Sequence, residues 1–223
     1  MSRYTMIWMV LFFIIIGCTN IGLSQEVIVL SNPSFEDMPR RGGDFNGPIK
    51  GWVDCGLNIF PGESPPDLHP VPGTAWEVTK LPQHGKTFLG LVVRYNNSYE
   101  SLSQRLESPL EKDKCYLLTV QLARSDAYKS RTTRSQDKAE NFVQPAILQI
   151  WGGREFCEEK QLLAQSIPVE NNEWMVYDFK FTPDENFKAI TIVAFYADGS
   201  QEAYNGHVMV DNLSPIVEID CDK

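Results

Sequence analysis

Short runs that alternate between hydrophobic and polar residues recur along the chain from residue 26 onward. In the two clearest runs every second position is apolar, namely Tyr116, Leu118, Val120 and Leu122, and then Met175, Tyr177, Phe179 and Phe181. A strict period of two indicates half-buried strands. We predict strands at Glu26–Leu30, Thr87–Val93, Ser101–Leu106, Cys115–Ala123, Ala146–Trp151, Trp174–Phe181, Ala189–Tyr196 and His207–Leu213. The best helical candidate, Glu158–Gln165, is short.

Many short strands separated by Gly, Pro and Asn turns predict an all-β fold, a β-sandwich or jelly roll. Two regions interrupt this rhythm. Residues 37–74 hold seven Pro and seven Gly, which predicts loop with short extended pieces. Residues 124–142 carry five basic and three acidic side chains, and we expect a mobile, solvated and locally basic excursion between two strands.

Residues 1–25 predict an export signal peptide. Arg3 is their only charge, and the ten-residue apolar run Ile7–Ile16 is much shorter than the ~20 residues that span a bilayer. Two processing routes stay open. Residues 15–18 resemble a bacterial lipobox, which would lipidate Cys18, whereas residues 22–24 allow ordinary cleavage before Gln25. We therefore expect one domain at 26–223, either an outer-membrane lipoprotein or a secreted or cell-surface protein, with a lipid as its only membrane attachment.

Composition narrows the partners and the compartment. The chain has 223 residues and a formal net charge of −9, which fits one globular domain and disfavours nucleic acid as a partner. Besides Cys18 it has an even number of cysteines, which in an exported protein predicts two disulfides. The three possible connectivities stay open, as does the alternative of buried thiols. The four residues are Cys55, Cys115, Cys157 and Cys221.

Several short motifs resemble a known family. Asn32–Glu36 (Asn-Pro-Ser-Phe-Glu), Gly51-Trp52 and Val208–Asn212 (Val-Met-Val-Asp-Asn) resemble the galactose-binding-like jelly rolls, which include carbohydrate-binding modules of the family 4 and 22 type. Residues 64–69 are similar to the extracellular domain of Bacteroidetes surface proteins associated with OmpA-like domains. The resemblance covers roughly residues 26–219 and implies a jelly-roll β-sandwich that binds carbohydrate at the bacterial cell envelope. We expect no OmpA-like domain after Lys223.

The same resemblance implies a structural calcium ion. Its ligands would be Glu36 and Asp211, with Asn32 and backbone carbonyls nearby. A hard cation takes six to eight oxygen ligands, and the terminal strands of a jelly roll lie side by side, so distant residues can meet. In the alternative interpretation, Glu36 caps a turn and Asp211 is an edge-strand charge.

Aromatic residues in predicted loops are the candidates for sugar binding, because sugar rings have apolar faces that stack on flat side chains. The predicted ligand residues are Trp76, Tyr95, Asn96, Tyr99 and Tyr128. Arg94 and Asn97 are further hydrogen-bonding candidates, and Tyr204 is a further loop aromatic. We expect core packing for Trp52, Trp151 and Trp174.

No catalytic motif stands out. The three His have no metal-ligand spacing, and adjacent carboxylates on a strand point to opposite faces. The leading hypothesis is therefore an exported, non-enzymatic carbohydrate-binding module. The alternative is a structural or protein-interaction domain of a surface or secreted complex with no sugar ligand. A glycan binder should present aromatic side chains along a groove, whereas an interaction domain should show a flat apolar patch.

Overall fold

Two β-sheets pack face to face in the computed structural model, which describes residues 25–42, 49–56, 65–132, 134–135, 137–197 and 202–222. The described strands are β1 Val27–Ile28, β2 Val53–Asp54, β3 Asp67–His69, β4 Phe88–Val93, β5 Ser101–Leu110, β6 Cys115–Ala123, β7 Lys129–Ser130, β8 Glu140–Asn141, β9 Gln144–Gly153, β10 Gln161–Gln165, β11 Met175–Phe181, β12 Phe187–Tyr196, β13 Gly206–Asp211 and β14 Ile216–Ile219. A 3-10 helix spans Pro72–Glu77.

The strand order is that of a jelly-roll sandwich. Sheet 1 runs β3-β4-β13-β6-β11, and β14 continues along β6 beyond β13 and pairs with β1. Sheet 2 runs β10-β9-β12-β5-β2. The first residues of β13 pair in parallel with the first residues of β9, which joins the two sheets at one corner. The predicted all-β class is confirmed.

The inter-sheet core follows from the alternation in the sequence. The apolar residues of β6 that share a face are buried, at 1% exposure or less, against inward-facing residues of sheet 2 such as Leu148, Ile150 and Ile192. Trp52 lies in this core as predicted, with its ring 5.3 Å from that of Phe35. Full burial of each large aliphatic side chain contributes about 1.5–3 kcal/mol.

A second cluster, here called the outer core, covers the other face of sheet 1. Strand β4 is buried on both sides, since Leu89 and Leu91 face sheet 2 while Phe88 and Val92 face outward. The outer core consists of Val78, Phe88, Val92, Tyr128, Phe142 and Met209, with Trp76 and Trp174 packed at its edge. The expectation of a solvated excursion at 124–142 is therefore wrong for Tyr128 and Phe142, whose rings sheet 1 buries, whereas Arg131, Arg134 and residues 137–139 are exposed.

Two further expectations fail for reasons of tertiary pairing. The helical candidate Glu158–Gln165 contains β10, because antiparallel pairing with β9 satisfies its backbone and Leu163 turns into the core. Trp151 is not in the inter-sheet core. It alternates with the buried Ile150 and lies half-buried on the outer face of sheet 2, where its indole N–H donates to Gln149 Oε1 at 3.0 Å.

Two disulfides are present, as predicted, and the structure settles the pairing that the sequence left open. Cys55 bonds to Cys157, and Cys115 bonds to Cys221. Within the described ranges, no helix is long and apolar enough to cross a membrane. The predicted signal peptide and Cys18 lie outside the described residues.

Candidate functional site

The five predicted ligand residues separate into two places in the fold. Tyr95, Asn96 and Tyr99 lie in or just after the turn between β4 and β5, at one end of the sandwich. Trp76 and Tyr128 lie on the outer face of sheet 1, in and beside the outer core. The two groups therefore do not form one aromatic platform.

The turn after β4 is held by its own hydrogen bonds. The Arg94 N–H donates to Ser98 O at 2.8 Å, and the Asn97 N–H donates to Arg94 O at 3.1 Å. Asn97 has φ 64°, a left-handed conformation that Asn tolerates better than most residues. The side-chain oxygen of Asn96 accepts from the Ser98 N–H at 3.2 Å and from its hydroxyl at 2.8 Å. This local bonding keeps the exposed Asn96 side chain in a fixed direction.

Two other loops meet this turn and hold Tyr95. The Tyr95 N–H donates to Asn205 Oδ1 at 3.0 Å, and Asn205 Nδ2 donates to Glu140 Oε2 at 2.7 Å. The Arg134 guanidinium lies over the half-buried Tyr95 ring, 3.7 Å from its centroid. We name Tyr95, Asn96, Arg134, Glu140 and Asn205 the loop-end site. It combines a partly exposed aromatic ring with amide, carboxylate and guanidinium groups.

A series of aromatic rings supports the loop-end site from below. Tyr99 meets Phe195 at 5.3 Å, Phe195 meets Tyr196 at 5.4 Å, and Tyr196 meets Tyr204 at 5.3 Å between ring centroids. The Tyr196 hydroxyl donates to Arg94 O, and burial raises the pKa of Tyr196 to about 12. Tyr99 is half-buried against the inter-sheet core, so the structure gives it a supporting position rather than the exposed one expected of a ligand platform.

Arg94 does not extend from the turn toward solvent. It forms a buried ion pair with Glu100, which also accepts from the Val92 N–H at 3.0 Å. Burial raises the pKa of Glu100 to about 8, and the Arg94 charge opposes that rise. Because both side chains are less than one-tenth exposed, Arg94 is excluded as a surface donor to sugar hydroxyls and instead anchors the turn.

Tyr128 is also wrongly predicted as a ligand platform, because its ring is only 1% exposed. Its hydroxyl donates to Asp67 Oδ2, while Asp67 Oδ1 accepts from the Gly42 N–H at 2.8 Å. Gly90 makes this packing possible, since a Cβ there would lie 2.9 Å from the His69 ring and 3.0 Å from the Tyr128 oxygen. Trp76 is half-buried at the edge of the outer core.

Two histidines are held neutral under segment 124–142. His207 Nε2 accepts from the Ser125 N–H at 2.8 Å, and its Nδ1–H donates to Phe142 O. Burial lowers the pKa of His207 to about 4 and that of His69 to about 3. Burial has the opposite effect on the nearby acids, raising the pKa of Asp67 and, together with the Asp67 charge, that of Tyr128. This polar group is a sealed structural network rather than an open site.

The predicted calcium ligands Glu36 and Asp211 bind the backbone of one turn, residues 83–87, from two sides, and we call this arrangement the Glu36–Asp211 clasp. Glu36 Oε1 accepts from the Lys86 N–H at 2.8 Å and from the Thr87 N–H at 3.1 Å. Asp211 Oδ2 accepts from the Gln83 and His84 N–H groups at 2.8 and 2.9 Å.

Further contacts tighten this clasp. Asn32 Oδ1 accepts from the Glu36 N–H at 2.7 Å. Gly85 fits between the two sides with φ +67°, and a Cβ there would lie 2.1 Å from Glu36 Oε1. Burial raises the pKa of Asp211 to about 6, against the lowering effect of the N–H groups it accepts from.

These contacts do not form an open oxygen cage. The carboxylates already accept several backbone N–H bonds, and no group of three or more His, Cys, Asp or Glu side chains suited to a metal occurs among the described residues. A cation would have to draw carboxylate oxygens away from these N–H groups, so calcium at this place stays a prediction.

Three of the loop-end residues were not found from the sequence. Arg134 and Glu140 come from the basic segment 124–142, and Asn205 comes from the turn before β13. Only the local concentration of basic residues pointed to this segment. Their convergence on Tyr95 depends on the outer core, which no local pattern reveals.

The comparisons with known proteins bear on the fold. No protein-family model matches the chain, and no curated protein matches it. A cyclase from Fischerella sp. TAU aligns over 88% of this chain and 98% of its own, with 13% identity and a TM-score of 0.54. The arabinose-bound MgGH51 α-L-arabinofuranosidase aligns over 86% of this chain and 26% of its own, with 10% identity and a TM-score of 0.50.

A xylan-binding CBM22-1 domain from Paenibacillus barcinonensis Xyn10C also aligns over 88% of this chain and 97% of its own, with 14% identity and a TM-score of 0.45. Identities this low show similarity of fold alone. The strand order and these similarities agree on a jelly-roll β-sandwich fold.

The buried histidines predict a pH dependence of stability. Unfolded His207 takes up a proton below pH ~6.5, whereas the folded residue stays neutral down to about pH 4. The unfolded state therefore binds more protons in this range. His207 should accordingly lower the free energy of unfolding by on the order of 1.4 kcal/mol for each unit by which the pH is lowered. In His207→Gln, urea titrations between pH 6 and 4.5 should show a slope shallower by about that amount.

Asp67, Glu100 and Asp211 contribute the opposite slope, since their pKa values are raised, but they are common to wild type and His207→Gln and cancel in the comparison. Equal slopes in wild type and His207→Gln would show that His207 is not buried in neutral form.

Calcium removal tests the Glu36–Asp211 clasp. If an ion binds there, millimolar calcium should raise the melting temperature above that in chelator, because a ligand at 100 times its Kd adds about 2.7 kcal/mol of stability. Glu36→Gln should abolish that difference, and Glu107→Gln, at an exposed position of β5, should preserve it. Identical melting temperatures in calcium and chelator, with Glu36→Gln equally destabilised in both, would establish a hydrogen-bonded clasp without metal.

Proposed function

We propose that this protein is an exported, non-catalytic module that binds carbohydrate at the loop-end site. The observation that carries the proposal is the partly exposed Tyr95 ring at the end of the sandwich, with the Arg134 guanidinium stacked over it and the exposed Asn96 amide in the same turn. An aromatic ring grouped with guanidinium and amide donors matches a sugar, whose ring has apolar faces and a hydroxyl rim. The fold is compatible with this function but does not imply it.

Rigidity of the site favours binding. Sugars are well hydrated and small, so affinity depends on groups that are already in place before the ligand arrives. The Tyr95 backbone, Asn205 and Glu140 are connected by hydrogen bonds of 3.0 and 2.7 Å, and Thr132 Oγ1 donates to Glu140 Oε1 at 3.1 Å. These bonds fix the polar rim from three separate loops.

Catalysis has less support. Asp67 and Glu100, two acids whose pKa values burial raises, are less than one-tenth exposed, as are His69 and His207. A glycosidase needs two carboxylates across an accessible cleft. The loop-end site contains a single carboxylate, Glu140, and both of its oxygens accept hydrogen bonds from the chain itself.

Export rests on the cysteines and the N-terminal sequence. Disulfides persist mainly in oxidising compartments, and the chain has two of them. Attachment to the outer membrane through a lipid on Cys18 is the proposed means by which the module would stay at the cell envelope, with secretion as the alternative route.

Tyr95→Ala tests the proposal. Residues 26–223 should bind at least one glycan on an array, and calorimetry with that glycan should show a loss of about tenfold in affinity for Tyr95→Ala, roughly 1.4 kcal/mol. Phe156→Ala is the matched control, because this ring is 42% exposed in a different loop, beside Arg105, and its removal should leave the affinity unchanged.

A folded protein that binds no glycan would contradict the proposal and favour a second function, protein interaction. The observation behind this second candidate is an exposed apolar surface at the start of β11. Val176 is 59% exposed and nearby Leu81 76%, and the Trp174 indole N–H donates to Leu81 O at 2.9 Å. An exposed apolar patch is typical of protein-binding sites.

A further inference from the structure

The chemistry around Tyr95 points beyond neutral sugars. We propose that the loop-end site binds an acidic glycan, one whose sugar rings carry carboxylate or sulfate groups. This inference rests on the proposed carbohydrate function and adds the class of ligand. It is carried by the position of Arg134 and by the charges that the same segment leaves at the surface.

Arg134 is the central group. Its guanidinium lies 3.7 Å from the centroid of the Tyr95 ring, and its side chain is exposed. A guanidinium stacked on an aromatic face keeps its N–H donors directed outward around its edge, where they match the two oxygens of a carboxylate or sulfate. Among the described residues Arg134 makes no salt bridge, so its charge is not already committed to a carboxylate of this chain.

Two more cations accompany it. Arg131 and Lys138 lie on the same segment, are exposed, and form no salt bridge with the part of the chain that the structure describes. Elsewhere arginines are paired with carboxylates, as in Arg94–Glu100, Arg105–Glu155 and Arg154–Glu185. Arg131, Arg134 and Lys138 therefore present positive charge without a salt bridge to any described residue, on a protein whose formal net charge is −9.

The nearby carboxylates do not cancel this local charge. Glu140 is half-buried and carries a negative charge, and its two oxygens accept from Asn205 and Thr132. With the exposed Asp137 it offsets two of the three cations, which leaves one net positive charge on residues 131–140. At physiological salt, charges farther away than about 8 Å are largely screened, so this local excess counts although the whole protein is acidic.

The geometry assigns different parts of the ligand to different side chains. The Asn96 amide and the part of the Tyr95 ring that Arg134 leaves open recognise the body and hydroxyls of a sugar, which any glycan offers. The Arg134 edge recognises the anionic group, and a charge-assisted bidentate contact is roughly twice as strong as a neutral hydrogen bond. Discrimination against the uncharged sugar should therefore depend on Arg134 far more than on Asn96.

Matched oligosaccharides test the proposal. The probes are a galacturonic acid oligomer, its neutral methyl ester and a sulfated galactan oligomer, titrated by calorimetry into residues 26–223 at 50 and 300 mM NaCl. We expect binding of at least one acidic probe, at least tenfold weaker binding of the methyl ester, and weaker binding of the acidic probe at high salt. Which acidic probe binds distinguishes carboxylate from sulfate.

Three variants separate local from global charge. Arg134→Gln should reduce affinity for the acidic probe about tenfold or more without changing the melting temperature, because the side chain is exposed. Arg134→Lys keeps the charge but lacks the planar fork, and should lose part of that affinity. Lys112→Gln removes the same charge at the exposed turn between β5 and β6, at the opposite end of β5 from the loop-end site, and should have no effect.

The unfavourable outcomes are distinct. Equal binding of the acidic oligomer and its methyl ester, both lost in Tyr95→Ala and both kept in Arg134→Gln, would overturn the acidic-glycan inference and leave the carbohydrate function in place. No binding of any of the three probes, together with an empty glycan array, would overturn both. Equal losses in Arg134→Gln and Lys112→Gln would assign the effect to net charge and would also overturn the inference.

Discussion

The packing of segment 124–142 against the outer face of sheet 1 is the interaction on which the candidate site depends. Tyr128 and Phe142 enter the outer core beside Phe88, Val92 and Met209, and each is 1% exposed. Burial of two such rings contributes several kcal/mol. Arg134 and Glu140 lie between these two anchors, so the outer core sets how far the loop can move from Tyr95. Without it, the loop-end site would be three loops without a fixed arrangement.

Hydrogen bonds beneath segment 124–142 fix its orientation on sheet 1. His207 accepts from the Ser125 N–H and donates to Phe142 O, so one side chain of β13 bonds to the backbone near both ends of the segment. The Tyr128 hydroxyl donates to the side-chain carboxylate of Asp67 on β3. A buried polar group without its partner is costly, and therefore these bonds select one placement of the segment among those that apolar burial alone would allow.

The local sequence pattern correctly predicted features that depend on neighbouring residues, such as strand bounds. The period-two alternation gave β6 its observed bounds, Cys115–Ala123, and the motifs implied the jelly roll. The local pattern could not predict pairing between distant strands, so Glu158–Gln165 was predicted as the helical candidate, although Gln161–Gln165 pairs with β9 as a strand. For the site, exposure was inferred from loop position, which served for Tyr95 and failed for Tyr128. The charged residues of segment 124–142 suggested a solvated loop, but the segment also contains Tyr128 and Phe142, whose rings the fold buries. Asn205 had no local signal at all.

Amide hydrogen exchange of segment 124–142 tests the central claim most directly. The Phe142 N–H donates to Tyr128 O at 2.8 Å, and the Ser125 N–H donates to His207 Nε2 at 2.8 Å, both in buried surroundings. We expect these two amides to be protected to a degree comparable with those of β6, because they open only when the outer core opens. Exchange at the rate of an unstructured peptide would contradict the account, since the segment would then be a solvated loop and the loop-end site would have no fixed geometry.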